Sequence, residues 1–480
     1  MNPLKYRRVL VIALVAAFPL VKAAAQEHSH TAEPGEIIPV NRAPGPAVLK
    51  NLSRVPHTVE VTITAEPARL SLVPGKTTVG YAYNGRVPGP LLEAYEGDKV
   101  IVHFRNRLPE PTTIHWHGLH IPNKSDGSPF YPVAPGADYD YVFTVEPGSA
   151  GTYWYHPHPD QATGRQIARG LFGSFIIRSR EDPLKGIPEK LIVLSDNRLK
   201  EDGSIDIADP ESHQGGIDFE NGRECVYIFA NGKIEPTITI RPGEVQRWRI
   251  INAAAARVFR LAIPGQKIIH VGNDGGLFEK PVERDDIVVA NSERVEILVT
   301  GTGAPGSQTV LQTLPYDRYS PHTRPEDWEK TRDILKIQYT NQPRVKAAAI
   351  PSTLRVIPAI DTALAVRTRV FALGQGFING KLHDMNRVDE TAKLGDVEIW
   401  QIENIVGMDH PFHLHGFQFQ VIDRDGKPET FRSWKDTVNV PKHSVVRIIV
   451  RFSDFAGKWM YHCHILDHED HGMMGVLEVN

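Results

Sequence analysis

Three Asn-Gly dipeptides, Asn84-Gly85, Asn231-Gly232 and Asn379-Gly380, recur at intervals of 147 and 148 residues in this 480-residue chain. A period of that size is the length of a whole domain. After each dipeptide comes a second glycine with an acidic neighbour, Gly97-Asp98, Gly243-Glu244 and Gly395-Asp396, and nine positions beyond that glycine an asparagine, Asn106, Asn252 and Asn404. Between glycine and asparagine the apolar residues fall at every second position, as in Val100, Val102 and Phe104 or Val397 and Ile399. Period two is the signature of a half-buried strand. With 39 Gly and 37 Pro spread along the chain, turns come too often for long helices. The pattern predicts an all-β protein of three Greek-key sandwiches or barrels, with domains over 45–180, 181–344 and 345–480.

The start of the chain reads as an export leader over 1–25. Arg7 and Arg8 precede an apolar run from Val9 to Val21, and Ala23-Ala24-Ala25 supplies small residues for cleavage before Gln26. An apolar run of that length is too short to span a bilayer, so a periplasmic or secreted protein with no membrane anchor is expected. Residues 26–44, with His28 and His30, read as a flexible, solvated N-terminal segment. The 54 Lys+Arg against 57 Asp+Glu leave no basic field for nucleic acid. Small partners and a monomeric chain are expected. Of the two cysteines, Cys463 stands among histidines and Cys225 reads as a small core residue, so no disulfide is expected.

The copies differ in their histidines. The first carries His115-Trp116-His117-Gly118 and His156-Pro157-His158; the third carries His413-Leu414-His415-Gly416 and His462-Cys463-His464. The middle copy has Ala253-Ala254-Ala255-Ala256 where the first pair would stand. On a strand, residues two apart share a face, so each His-x-His pair presents two imidazoles side by side. The simplest closed arrangement sets the first and third copies face to face across a shared metal cluster. Imidazole alone does not choose among copper, zinc, iron and nickel. Cys463 does. Alternation points its thiolate away from His462 and His464 toward a second site, where His410, His468 and Met473 are available. Two His, one Cys and a weak axial Met make a blue copper ligand set, whereas a redox-inert zinc gains nothing from a covalent link to a polyhistidine cluster.

In this order, His115-x-His117-Gly118, His156-x-His158, His410-x-x-His413-x-His415 and His462-Cys463-His464-x-x-x-His468-x-x-x-x-Met473 make the chain resemble the multicopper oxidase family, in its three-domain bacterial laccase or copper-efflux form. The resemblance implies three cupredoxin-like domains and four copper ions. By position it implies that His410, Cys463, His468 and Met473 hold a type 1 copper and that His115 and His413 hold a type 2 copper. His117, His156, His158, His415, His462 and His464 would hold a type 3 pair. Electrons from a small-molecule or metal-ion donor would enter at an exposed edge of His468, pass through Cys463 and reduce dioxygen to water at the trinuclear cluster. That reduction consumes protons, and Asp126 and Glu469 match as acidic groups beside the cluster.

The donor is expected to be a phenol or aromatic amine. The alternative is a metallo-oxidase acting on Cu(I) or Fe(II) in copper tolerance, disfavoured by only six methionines, although Met408 matches a residue of some cuprous sites. A copper-binding or division-associated structural protein without turnover is the third reading. His120 reads as a solvated loop histidine, and His471 and Met474 as residues outside the type 1 ligand set.

Overall fold

The computed structural model describes residues 45–480, so the expected leader 1–25 and the segment 26–44, with His28 and His30, lie outside the described residues. Each copy of the repeat opens with a strand that pairs in parallel with the strand following the shared glycine. Thr58–Leu70 runs beside Lys99–Asn106, Glu189–Asn197 beside Val245–Asn252, and Ala365–Leu373 beside Val397–Asn404. Parallel neighbours cannot be closed by a hairpin, so the chain crosses between sheets in every copy. The first copy forms two four-stranded sheets, the middle a six- and a five-stranded sheet, and the third two five-stranded sheets. Within each copy the inner faces meet in one core. Val61, Ile63 and Phe104 of one sheet pack with Trp116, Tyr155 and Phe175 of the other in the first copy. Trp400 and Ile402 pack with Phe412 and Tyr461 in the third. These are three cupredoxin-like domains.

The repeated residues hold the same joints three times. Asn84, Asn231 and Asn379 have φ of 50°, 52° and 53°, which asparagine tolerates, and the following glycines continue the turn. Their side chains reach back to the opening strand: the oxygens accept Thr64, Val193 and Ala372 N–H at 2.6, 2.8 and 2.7 Å. Asp98, Glu244 and Asp396 each accept the N–H three residues earlier. Asn106, Asn252 and Asn404 each bridge strand ends, donating to the carbonyls of Val133, Val289 and Val440 at 2.9, 3.0 and 2.9 Å. The repeat in the sequence is a repeat of hydrogen-bond needs at turns and strand ends that the backbone alone leaves unmet.

Three short helices sit where the copies meet: α1 (Thr163–Ala168), α2 (His213–Asn221) and α3 (Leu466–Asp470). The middle copy touches the third directly just after its ligand-bearing strand, with Ala255 O accepting Leu466 N–H at 3.0 Å and Asn291 Nδ2 donating to His464 O. Among the described residues no helix is long and apolar enough to cross a membrane.

Candidate metal centres

In the first copy the strand His115–His117 pairs antiparallel with Gly151–His156, opposing His115 to His156. In the third, His410–Leu414 pairs with Gly457–Cys463, opposing His413 to His462 and Phe412 to Cys463. The two histidine-bearing sheets face each other: His115 stacks on His415 and His117 on His413, ring centroids 3.9 Å apart in both pairs. Three groups of imidazoles form across the junction, each with its candidate ligand atoms within 4.8 Å of one another: His115, His117 and His413; His117, His156 and His464; His158, His415 and His462. A separate group combines His410, Cys463 and His468, with Cys463 Sγ 3.7 Å from His468 Nδ1. Met473 is fully buried beside it, its N–H donating to His468 O and its carbonyl accepting from Cys463 N–H. One strand and the residue that follows it therefore present His462 to one group, Cys463 to another and His464 to a third.

Three family models, each described as multicopper oxidase, match residues 64–182, 207–341 and 355–480. The chain belongs to the multicopper oxidase family. It is 33% identical over 433 residues to the multicopper oxidase mco of Staphylococcus aureus, an alignment covering 87% of this chain and 88% of that protein. A solved multicopper oxidase of Campylobacter jejuni, described as a metallo-oxidase, is similar with TM-score 0.82 and 34% identity over 93% of this chain and 96% of its own. A solved laccase of Pediococcus acidilactici is similar with TM-score 0.80 and 33% identity, covering 93% and 94%. Multicopper oxidases are copper oxidoreductases that use oxygen as acceptor.

The donor set of this multicopper oxidase fits copper. Nε2 of His115, His156, His410 and His413, and Nδ1 of His117, are buried without a hydrogen-bond partner. Orphaned buried imidazole edges of this number call for a shared ligand. Burial is the largest cause holding His117, His156, His158, His413, His415 and His464 well below the ordinary histidine range; it takes His462 down to about 3 and His468 to about 4. Neutral imidazoles offer lone pairs, as metal binding requires. Burial pushes the Cys463 thiol up, so without a cation it keeps its proton. A soft thiolate beside imidazoles then selects copper over hard cations.

Both sequence-predicted acids lie against the histidines. Asp126 is fully buried, its Oδ2 accepting from His415 Nδ1 at 2.9 Å and its carbonyl from His115 Nδ1 at 2.9 Å. Glu469 has its carboxylate 3.5 Å from His158 Nε2 and 3.3 Å from His462 Nδ1, and burial raises its pKa well above the carboxylate range.

Two expectations need correction. His468 has no exposed edge: its accessibility is 0%. Helix α2 of the middle copy covers it, with His468 Nε2 donating to Glu220 O at 3.2 Å and the Phe219 ring 6.3 Å away. Ser212 caps α2, Arg198 pairs with its Asp218, and Gln375 holds Glu220 O. His120 is no solvated loop histidine but a junction residue, 2.6 Å from Gly416 O and 2.9 Å from Asp454 Oδ2 in the third copy. His471 is exposed, Met474 packs with Met460 and Val476, and Cys225 and Cys463 are both free and buried. Met408 is buried with Sδ 3.8 Å from Gln375 Nε2.

Asp436 was not singled out by the sequence. It is buried, its Oδ1 accepting from His117 Nε2 at 2.9 Å and its carbonyl from His413 Nδ1 at 2.8 Å. In Trp434-Lys435-Asp436-Thr437 it reads as an ordinary polar turn, and only the fold brings it to the first copy.

Proposed function

We propose that this multicopper oxidase oxidises a phenolic or aromatic donor one electron at a time and reduces dioxygen to water with four coppers, outside the cytoplasm. The carrying observation is that three consecutive residues at the end of one strand, His462, Cys463 and His464, face different ligand groups. Type 1 copper is assigned to His410, Cys463, His468 and Met473. Type 2 copper is assigned to His115 and His413, and the type 3 pair to His117, His156, His158, His415, His462 and His464. When bound, copper supplies one-electron redox chemistry at the first site and storage of four electrons at the second.

The chain's own residues do the rest. Cys463 and its two neighbours form the shortest covalent path between the sites. Asp126 orients His415 and His115 through Oδ2 and its carbonyl. Glu469, its pKa raised by burial, lies against His158 and His462, where its carboxyl can carry a proton and give it up as oxygen is reduced. Because α2 covers His468, the donor meets its hydrogen-bonded carbonyl at Glu220 instead of a bare imidazole. On the other side of α2 lies a cavity of about 510 Å³ walled by Ile217, Tyr319 and Trp328, which supports an aromatic donor. The burial of His468 supports a second reading, Cu(I) or Fe(II) as donor, with Met408 beneath α2.

The test is oxygen uptake by copper-loaded protein with a phenol, Cu(I) and Fe(II), comparing kcat/KM. A phenol favoured at least tenfold is expected. A metal ion favoured by that margin would select the second reading, and no uptake with any donor would end the oxidase reading.

A further inference from the structure

We propose that Arg294, in the copy that carries none of the His-x-His pairs, is a positioning residue of the trinuclear site: it holds the Asp436 carboxylate against His117 and so commits His117 Nδ1 to the metal. The inference rests on the reading of His117 as a copper ligand.

His117 is oriented differently from five of the other ligand histidines. His115, His156, His413, His415 and His462 each give Nδ1 to an oxygen of the protein, namely Asp126 O, Pro157 O, Asp436 O, Asp126 Oδ2 and Cys463 O. That leaves Nε2 for the cluster. His117 is reversed, with Nε2 2.9 Å from Asp436 Oδ1 and 3.1 Å from Thr437 Oγ1, and with Nδ1 unpartnered. An ionised carboxylate only accepts, so Nε2 carries the proton and Nδ1 the lone pair. The direction of this one ring depends on where Asp436 points.

Arg294 fixes that direction. Its Nη1 and Nη2 grip Asp436 Oδ1 and Oδ2 at 2.7 and 2.5 Å, a two-point contact that sets the plane of the carboxylate. The remaining donors go to backbone carbonyls: Nε to Thr152, Nη1 to Ser292 and Nη2 to Asp274, at 3.1, 3.0 and 3.1 Å. All five N–H groups of a fully buried guanidinium are thus used, on the first, middle and third copies together. The motif glycine after His117 makes room for the pair. A Cβ on Gly118 would lie 2.3 Å from Asp436 Oδ2 and 2.7 Å from Arg294 Nη2.

A clamp that merely joins three domains would, when weakened, lower the stability of the whole molecule. A positioning residue affects the trinuclear copper first. The experiment uses Arg294→Lys, which keeps the charge but loses the fork, and Asp436→Asn, which keeps the shape but removes the carboxylate. Copper per chain is titrated against a chelator, with the blue band reporting type 1 copper and melting of the apoprotein reporting stability. The trinuclear coppers should be lost at ten- to hundredfold lower chelator activity in both variants, with the blue band unchanged. Should one variant fail to fold, the other carries the test. Trinuclear copper held as in wild type, or lost in step with the blue band and apoprotein stability, would overturn the proposal. Wild-type protein that binds no copper would overturn the reading beneath it.

Discussion

Asn252 and Asn404 occupy the same joint in the middle and third copies, but only the second borders a candidate copper site. Each is buried and makes three hydrogen bonds to the backbone. Asn252 Nδ2 donates to Val289 O and Arg257 O at 3.0 and 2.8 Å, and its Oδ1 accepts Ala254 N–H at 3.0 Å. Asn404 does the same with Val440 O, Met408 O and Val406 N–H at 2.9, 2.6 and 3.2 Å. Substitution by Ala strands two carbonyls and one N–H. At about 1 kcal/mol per stranded group, each variant should lose about 3 kcal/mol. For a domain of this size that lowers the melting temperature by roughly 6–12 °C. Asn404 also lies 3.4 Å from His410 Nδ1 and orders the loop carrying Met408. Circular dichroism melts of the two apoproteins should therefore agree, while the blue band of the copper-loaded proteins should shift in Asn404→Ala alone. A melting change under about 2 °C in Asn252→Ala, or a shifted blue band in that variant, would refute the shared-joint reasoning.

Further outcomes follow from the same geometry. His270 is buried and held down to about 3, chiefly by desolvation. Its neutral form favours the fold fully above pH 6.5, and that contribution is lost as pH falls from 6.5 toward 3. The stability gap between wild type and His270→Met should narrow by up to about 4 kcal/mol over that window, read by melting at each pH. Replacing residues 213–221 with a short Gly-Ser linker should remove the Ile217 wall of the cavity and the Glu220 carbonyl on His468 and so lower kcat/KM for phenols; an unchanged value would mean that the donor does not bind against α2. Glu469→Gln should lower oxygen uptake by about 10²-fold at full copper content, and uptake equal to wild type would remove Glu469 from proton delivery.

The fold was legible because its repeated joints are made by residues whose chemistry is visible in sequence: Asn at positive φ, glycine at the turn, asparagine closing strand ends. The ligand groups were legible for a related reason, since period two places His462 and His464 together and Cys463 apart. What stayed hidden acts across sequence-distant contacts. Asp436 reaches His117 from another copy, with Arg294 between them, and no local pattern marks either residue. Helix α2 carries no periodic signal that ties it to His468, so the histidine's burial appears only once the middle copy packs against the third. His120 was misread for the same reason, its partners Gly416 and Asp454 lying near the far end of the chain.

In the proposed function one strand serves two separate copper sites. Copper content and visible absorption of Cys463→Ser test it most directly. Three of four coppers should remain, with the blue band and donor oxidation abolished. A persisting blue band, or loss of all four coppers from a protein that still folds, would contradict it.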